Sequence, residues 1–188
     1  MEDNRTWLKN KLKRYNEINK DNSLELKTSN KIKTFIDQNK DCFLRSNAYG
    51  HITGSSWVVN ESFDSFLLHY HRKLRKWLQL GGHADGESNV LKVSLNEARE
   101  ESGLLDFKVL SEDIFDVDVH LIPKRKGEPE HLHFDVRFLL QASSSVPLSR
   151  SVRESIELVW VPISDVMGKS EYDNVRKMAI KSEEYSRR

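Results

Sequence analysis

Two neighbouring stretches decide the reading of this chain: Gly81-Gly82-His83-Ala84-Asp85-Gly86, then Asn96-Glu97-Ala98-Arg99-Glu100-Glu101-Ser102-Gly103-Leu104. The first is a glycine-rich turn. The second has the spacing of a short helix closed by a glycine. Glu97, Glu100 and Glu101 stand at i, i+3 and i+4, so a helix places them on one face. Three carboxylates that close repel one another unless a cation sits among them. Oxygen-only ligands suit a hard cation such as Mg²⁺ or Mn²⁺. A solvated acidic helix face is the plainer alternative.

The spacing of the two stretches resembles the box of the Nudix hydrolases. That box reads Gly, five residues, Glu, seven residues, Arg-Glu, an apolar residue, any residue, Glu-Glu, any residue, Gly and an apolar residue. Gly82 fits its first position, and Glu97, Ala98, Glu100, Glu101, Gly103 and Leu104 fit its end in register. Ser88 stands where the box has its first Glu, with Glu87 next to it, and Asn96 stands where the box has Arg. With the flanking strand pattern, the resemblance extends over residues 47–165. It implies an α/β fold, a Nudix-like α/β/α sandwich with a mixed sheet. It also implies hydrolysis of a phosphoanhydride in a nucleoside diphosphate linked to another group, with Mg²⁺ or Mn²⁺ as cofactor.

By the same resemblance the metal ligands are Glu97, Glu100, Glu101 and the Gly82 carbonyl. Glu97 and Glu101 are the catalytic candidates on the helix. Glu154 and Glu157, just before Trp160, are candidates for the general base. Gly81, Gly82, His83 and Arg125 are the substrate-binding candidates. The chemistry asks for two things, neutralisation of phosphate charge and deprotonation of an in-line water, and divalent metals help with both. Gly81 and Gly86 let a backbone approach a diphosphate closely. They equally make a tight strand-to-helix turn. In the family the box Arg orients a glutamate through an ion pair. Asn96 hydrogen-bonds but carries no charge. Arg99 is near in sequence, and Glu87 replaces the first box glutamate if the loop shifts by one residue.

Composition bounds the rest. The 188 residues suffice for one cored domain with an appendage. The 30 basic and 29 acidic residues nearly cancel, so no nucleic-acid polymer is expected and phosphate specificity is local. The single Cys42 fits a reducing cytoplasm. No signal peptide is visible and no apolar run is long enough for a membrane. The expected partner is a small-molecule, nucleotide-type substrate, and a homodimer stays open.

Residues 1–45 carry two helical stripes, Trp7, Leu8 and Leu12, then Ile32, Phe35 and Ile36. They read as an N-terminal helical extension of a Nudix-like domain spanning 46–188, with a disordered basic tail as the competing reading. Strands are expected at 51–59, 66–71 and 77–80, the last ending at the glycines. The box helix covers 89–102, with Leu91, Leu95 and Ala98 as its buried stripe and the glutamates pointing elsewhere. Strands follow at 114–122, 132–140 and 156–161, with Pro162 breaking the last, and a C-terminal helix at 171–185.

The histidines form a second pattern. His131 and His133 alternate on one strand and share a face. His120 lies on the preceding strand, and His83 lies in the glycine turn with Asp85. Together they line a pocket for phosphate or a second metal, or are ordinary hydrogen-bonded polar groups. Lys124, Arg125 and Lys126 form a basic hairpin tip. Trp57, Tyr70, Trp77 and Phe134 are candidates for stacking on a base, or for the core.

Two other functions compete. A degenerate Nudix domain binds nucleotide without cleaving it, a reading motivated by Asn96 and Ser88. An isopentenyl-diphosphate isomerase has a His/Glu metal site and a cysteine beside the glycine turn. Here Leu80 and Gly81 occupy that place, and Cys42 is far upstream.

Overall fold

A computed structural model describes residues 3–124, 127 and 129–187. The elements run α1 (Thr6–Ile18), α2 (Ser23–Gln38), β1 (Gly50–Val59), β2 (Ser65–His71), β3 (Lys76–Leu78), β4 (Leu80–His83), α3 (Val90–Ser102), β5 (Lys108–Val109), β6 (Asp116–Ile122), β7 (His131–Gln141), β8 (Ser155–Pro162), α4 (Ile163–Gly168), a single 3₁₀ turn, and α5 (Asp173–Ser186). The strands form one mixed sheet of order β3-β2-β1-β7-β5, with β4 also pairing β1, β6 pairing β7 and β8 pairing β2. Most pairings are antiparallel. The β1–β7 pair is parallel: Leu132 N–H donates to the Tyr49 carbonyl and Ala142 N–H to the Val59 carbonyl, both at 3.0 Å, so the register advances in the same direction on each strand. The expected α/β class with a mixed sheet is what the chain adopts.

The chain divides into two compact units, residues 1–54, 82–93 and 112–138 in one, and 55–81, 94–111 and 139–188 in the other. In the first unit, the two helical stripes of the N-terminal segment are real. Leu8, Leu12, Ile32 and Ile36 are fully buried, and they join Ile52, Val90, Val117, Phe134 and Phe138 in one apolar cluster. Phe35 stacks face to face on Phe134, with centroids 3.9 Å apart. Each such side chain contributes about 1.5–3 kcal/mol on burial. Asn22 caps α2 by accepting from the Glu25 N–H at 3.2 Å. The Tyr15 hydroxyl donates to Glu25 Oε2 at 2.6 Å and ties α1 to α2.

The second unit is built on β2, which pairs with β8 along its length and with β3 over His69–His71. Its core contains Val58, Leu67, Leu80, Ala98, Leu104, Leu140 and Leu158. Trp57 packs on Phe66 with centroids at 4.7 Å, and its indole N–H donates to Ser182 Oγ at 3.3 Å on α5.

Several expectations are corrected. The third strand is two, β3 and β4, separated at Gln79, and the glycines lie inside β4 rather than after it. Pro162 does not break β8. It pairs with Ser65 as the last strand residue, where its missing N–H is tolerated, and α4 follows at once. The buried stripe of α3 is Val90, Val93, Ser94, Ala98 and Glu101, while Leu91 and Leu95 are only half-buried. One of the glutamates thus points inward. Gly103 takes φ +73°, the left-handed value expected after a helix. Trp57 and Phe134 are core residues, so neither is available to stack on a base. Among the described residues, no helix is long and apolar enough to cross a membrane.

Candidate functional site

In the second unit, α3 delivers three carboxylates into different environments. Glu100 is exposed, Glu97 half-buried and Glu101 buried, at 4% exposure. Glu101 Oε2 accepts the Gly81 N–H at 2.8 Å. Its Oε1 lies 3.6 Å from His69 Nδ1, which is also 2.8 Å from Ser155 Oγ. Burial pushes the Glu101 carboxyl up to about 8 against the opposing Gly81 N–H, and the fields of Glu97, Glu154 and Glu100 push the same way. Burial also lowers His69, to about 4, with the charge of His71 acting in the same sense. A neutral His69 therefore offers Glu101 no compensating cation.

Glu154 comes to this group by a specific route. The Ser149 and Ser151 N–H groups donate to the Ser102 and Glu101 carbonyls at 2.7 and 3.1 Å. They satisfy the open end of α3 and hold the segment before β8 against it. A Cβ on Gly103 would lie 2.6 Å from Ser149 Cβ, so glycine makes this approach possible. Glu154 follows with a side chain 45% exposed and Oε2 at 4.0 Å from His71 Nε2. His71 is itself held, accepting the Lys73 and Leu74 N–H groups on Nδ1 at 3.2 and 3.1 Å. The structure thus collects Glu97, Glu100, Glu101 and Glu154. Glu157 is exposed on β8 opposite Tyr70, and its field acts on Tyr172.

Gly81 uses its small size on protein rather than on open space. A Cβ there would sit 2.3 Å from Ser55 Oγ and 2.7 Å from Ser55 Cα. Arg99 does not stand in for the box arginine. Its Nε donates to the Leu105 carbonyl at 3.2 Å, past the end of α3. Asn96 is exposed.

The first unit holds Gly82, half-buried on β4, and the turn after it. Asp85 pairs with Arg45 there. Glu87 pairs with Lys92 Nζ at 2.6 Å and accepts the Asn89 N–H at 3.0 Å, so it is tied to the first turn of α3. The same unit carries a polar face across β1, β6 and β7. Register sets Asp116 opposite Arg137, Asp118 opposite Asp135, and His120 opposite His133. Arg137 is held by three aspartates, with Nε to Asp135 at 2.7 Å, Nη1 to Asp116 at 2.9 Å and Nη2 to Asp118 at 3.0 Å. Thr53 Oγ1 donates to the other Asp135 oxygen at 2.9 Å.

Beyond this ionic group the face becomes imidazole. The His51 ring lies 4.9 Å from His83, 5.0 Å from His131 and 4.9 Å from His133 by centroid. Burial lowers His51 to about 4 and His133 to about 2, and neighbouring rings deepen both shifts. His83, His120, His131 and His133 come together as their strand positions suggested. His51 was not singled out in the sequence, since one histidine heading an apolar strand carries no periodic signal. Arg125 and Lys126 lie outside the described residues.

No protein-family model matches the chain, and no curated protein matches its sequence. Solved structures do match in fold. A C. elegans Ap4A hydrolase in a binary complex superposes with a TM-score of 0.56 at 15% identity, covering 71% of this chain and 96% of its own. A NUDIX-family hydrolase from Clostridium perfringens gives 0.52 at 23% identity, covering 71% and 96%. The MutT protein from Methanosarcina mazei gives 0.54 at 17% identity, covering 76% and 99%. The strand order, the helix that carries the glutamates and these superpositions agree: the chain has the fold of the Nudix hydrolases.

Proposed function

We propose that the chain is a Mg²⁺- or Mn²⁺-dependent pyrophosphohydrolase. It cleaves a phosphoanhydride bond in a nucleoside diphosphate linked to another group, with residues 46–188 as the hydrolase domain and 1–45 as its helical extension. The observation that carries this reading is Glu101, a carboxyl raised by its burial and further by the fields of Glu97, Glu154 and Glu100. Such a donor set suits a hard divalent ion. Glu97, Glu100 and Glu101 would hold it, with the Gly82 carbonyl as the further ligand implied by the family resemblance. When bound, it supplies charge neutralisation for the diphosphate and acidifies a water.

The chain's own groups do the rest. The Gly81 N–H fixes Glu101 Oε2. Glu154, the partly exposed carboxylate, accepts the proton of the attacking water, and His71 limits its range. Glu157 is the second candidate base. His83 and Arg125 are proposed to contact the phosphates.

The fold neighbours support the reaction class, since they include hydrolases named for a dinucleoside polyphosphate and for the NUDIX family. The test is a turnover panel of ADP-ribose, nucleotide sugars, dinucleoside polyphosphates and nucleoside triphosphates with Mg²⁺, Mn²⁺ or chelator, in ¹⁸O-water. Turnover of at least one diphosphate, abolished by chelator and placing ¹⁸O on a phosphate product, is expected. A second reading, a domain that binds nucleotide without cleaving it, is favoured by Asn96 and Ser88. Tight nucleotide binding with no product from any substrate would establish that reading instead.

A further inference from the structure

We propose that His51, His131 and His133 form a binding site for a divalent transition-metal ion of the zinc class. Two independent observations converge on it, the clustering of the ring nitrogens and an unpartnered buried imidazole. The ligand nitrogens of these rings all lie within 4.8 Å of one another. His51 is only 3% exposed, and among the described residues neither of its ring nitrogens has a hydrogen-bond partner. A buried imidazole almost always finds a partner, so an unpaired one aimed at two other rings needs an explanation. His131 Nε2 and His133 Nε2 stand 3.3 Å apart. Two nitrogens bound to one tetrahedral zinc at about 2.0–2.1 Å are separated by about 3.3–3.4 Å.

The surroundings prepare the rings for that role. His131 Nδ1 lies 2.8 Å from the Pro129 carbonyl. A proton on Nδ1 donates to that oxygen and leaves Nε2 with its lone pair facing inward, as metal-bound histidines are commonly arranged. Alternation along β7 keeps His131 and His133 on one face. Behind them on that face, Asp135 and Arg137 are locked in the aspartate–arginine group, so neither carboxylate oxygen of Asp135 is left to compete as a ligand.

The donor set decides the ion. Imidazole suits Zn²⁺, Co²⁺, Ni²⁺ or Cu²⁺, whereas Mg²⁺ and Ca²⁺ take oxygen ligands. The His83 ring, 5.0 Å from His133 by centroid, borders the fourth coordination position. With three protein ligands that position takes water, an anionic oxygen or His83 itself. This site does not depend on the hydrolytic reading, and its test does not use turnover.

The experiment uses the full chain without a tag, stripped by chelator and titrated with Co²⁺ as the spectroscopic probe. With saturating Mg²⁺ present to occupy the α3 carboxylates, one Co²⁺ per chain is expected, with the intense visible absorption of a tetrahedral site, displaced by Zn²⁺. His131→Gln and His133→Gln should each weaken binding at least about 100-fold, the upper end of what losing an outer-shell partner costs. Glu112→Gln, at an exposed position outside both sites, should leave it unchanged. Circular dichroism checks that the variants fold. If they do not, X-ray absorption of the wild-type zinc form reads imidazole scattering directly. A weak six-coordinate Co²⁺ spectrum, binding unchanged by both histidine variants, or zinc without imidazole neighbours would overturn the proposal.

Discussion

The carboxylates of α3 and the histidines of β1, β4, β6 and β7 are two concentrations of polar groups held by opposite means. On α3 the grouping is local: three glutamates within five residues share a side because the helix has 3.6 residues per turn. The histidines come from positions 51, 83, 120, 131 and 133, and only strand pairing brings them together. Among the carboxylates, burial and the fields of Glu97, Glu154 and Glu100 raise Glu101 to about 8. The polar face bearing the histidines is balanced at one end, where Arg137 answers three aspartates. Carboxylates whose fields fall on one buried partner suit the divalent cation proposed above. A cluster with its own counter-ion is a frame, and the rings at its far end are what the frame holds in place.

The largest expected effect breaks that frame. Arg137→Ala leaves Asp116 and Asp135 buried without their cation, and should destabilise the chain by about 3–5 kcal/mol. Chemical denaturation would measure it. A loss under about 1 kcal/mol would mean that the aspartates neutralise or rehydrate at little cost, and that the contrast drawn between the two groups is false.

Next in size is Glu101→Gln. The amide keeps the shape and still accepts the Gly81 N–H, but it removes the charged ligand. Turnover should fall about 100-fold or more, about 2.7 kcal/mol in the barrier, with the melting temperature preserved. Unchanged turnover with unchanged metal dependence would remove α3 from the catalytic site. Glu154→Gln and Glu157→Gln, measured beside it, separate the two candidate bases. A larger loss in the first is expected, because the field of Glu154 reaches Glu101.

Asn96→Arg sharpens the comparison within α3. A guanidinium fixes a carboxylate through paired charge-assisted hydrogen bonds, where the amide makes a weaker one. A gain of about tenfold in turnover, about 1.4 kcal/mol, is expected. A slower variant would show that the site is adapted to the smaller side chain.

The smallest effect is acid sensitivity at Asp118. Burial raises its pKa, but the His120 hydrogen bond and the Arg137 charge prevail and hold it below its usual 3.8. A carboxyl depressed in the folded state stabilises above its unfolded pKa and loses that stabilisation as pH falls through the folded value. Wild-type stability should therefore decline below about pH 4, and Asp118→Asn should flatten part of that decline. Denaturant midpoints between pH 2 and 6 would show it. Parallel slopes in the two proteins would exclude Asp118 from the acid response.

What the sequence determined by itself is what short-range periodicity encodes. The stripes Trp7–Leu8–Leu12 and Ile32–Phe35–Ile36 yielded two helices because three-and-four spacing presents one apolar side whatever lies beyond it. Glu97, Glu100 and Glu101 were legible as a group for the same reason, and Gly103 as the helix end because few other residues accept its φ. The tertiary structure decided which glutamate is buried, since Glu101 turns inward only through packing against β4, where the Gly81 N–H meets it. It decided which later carboxylate approaches, since backbone bonds from Ser149 and Ser151 to the end of α3 carry Glu154 there and leave Glu157 on the exposed side of β8. It alone placed His51 among the other histidines, because a contact across strands distant in sequence depends on register, and no local spacing records register.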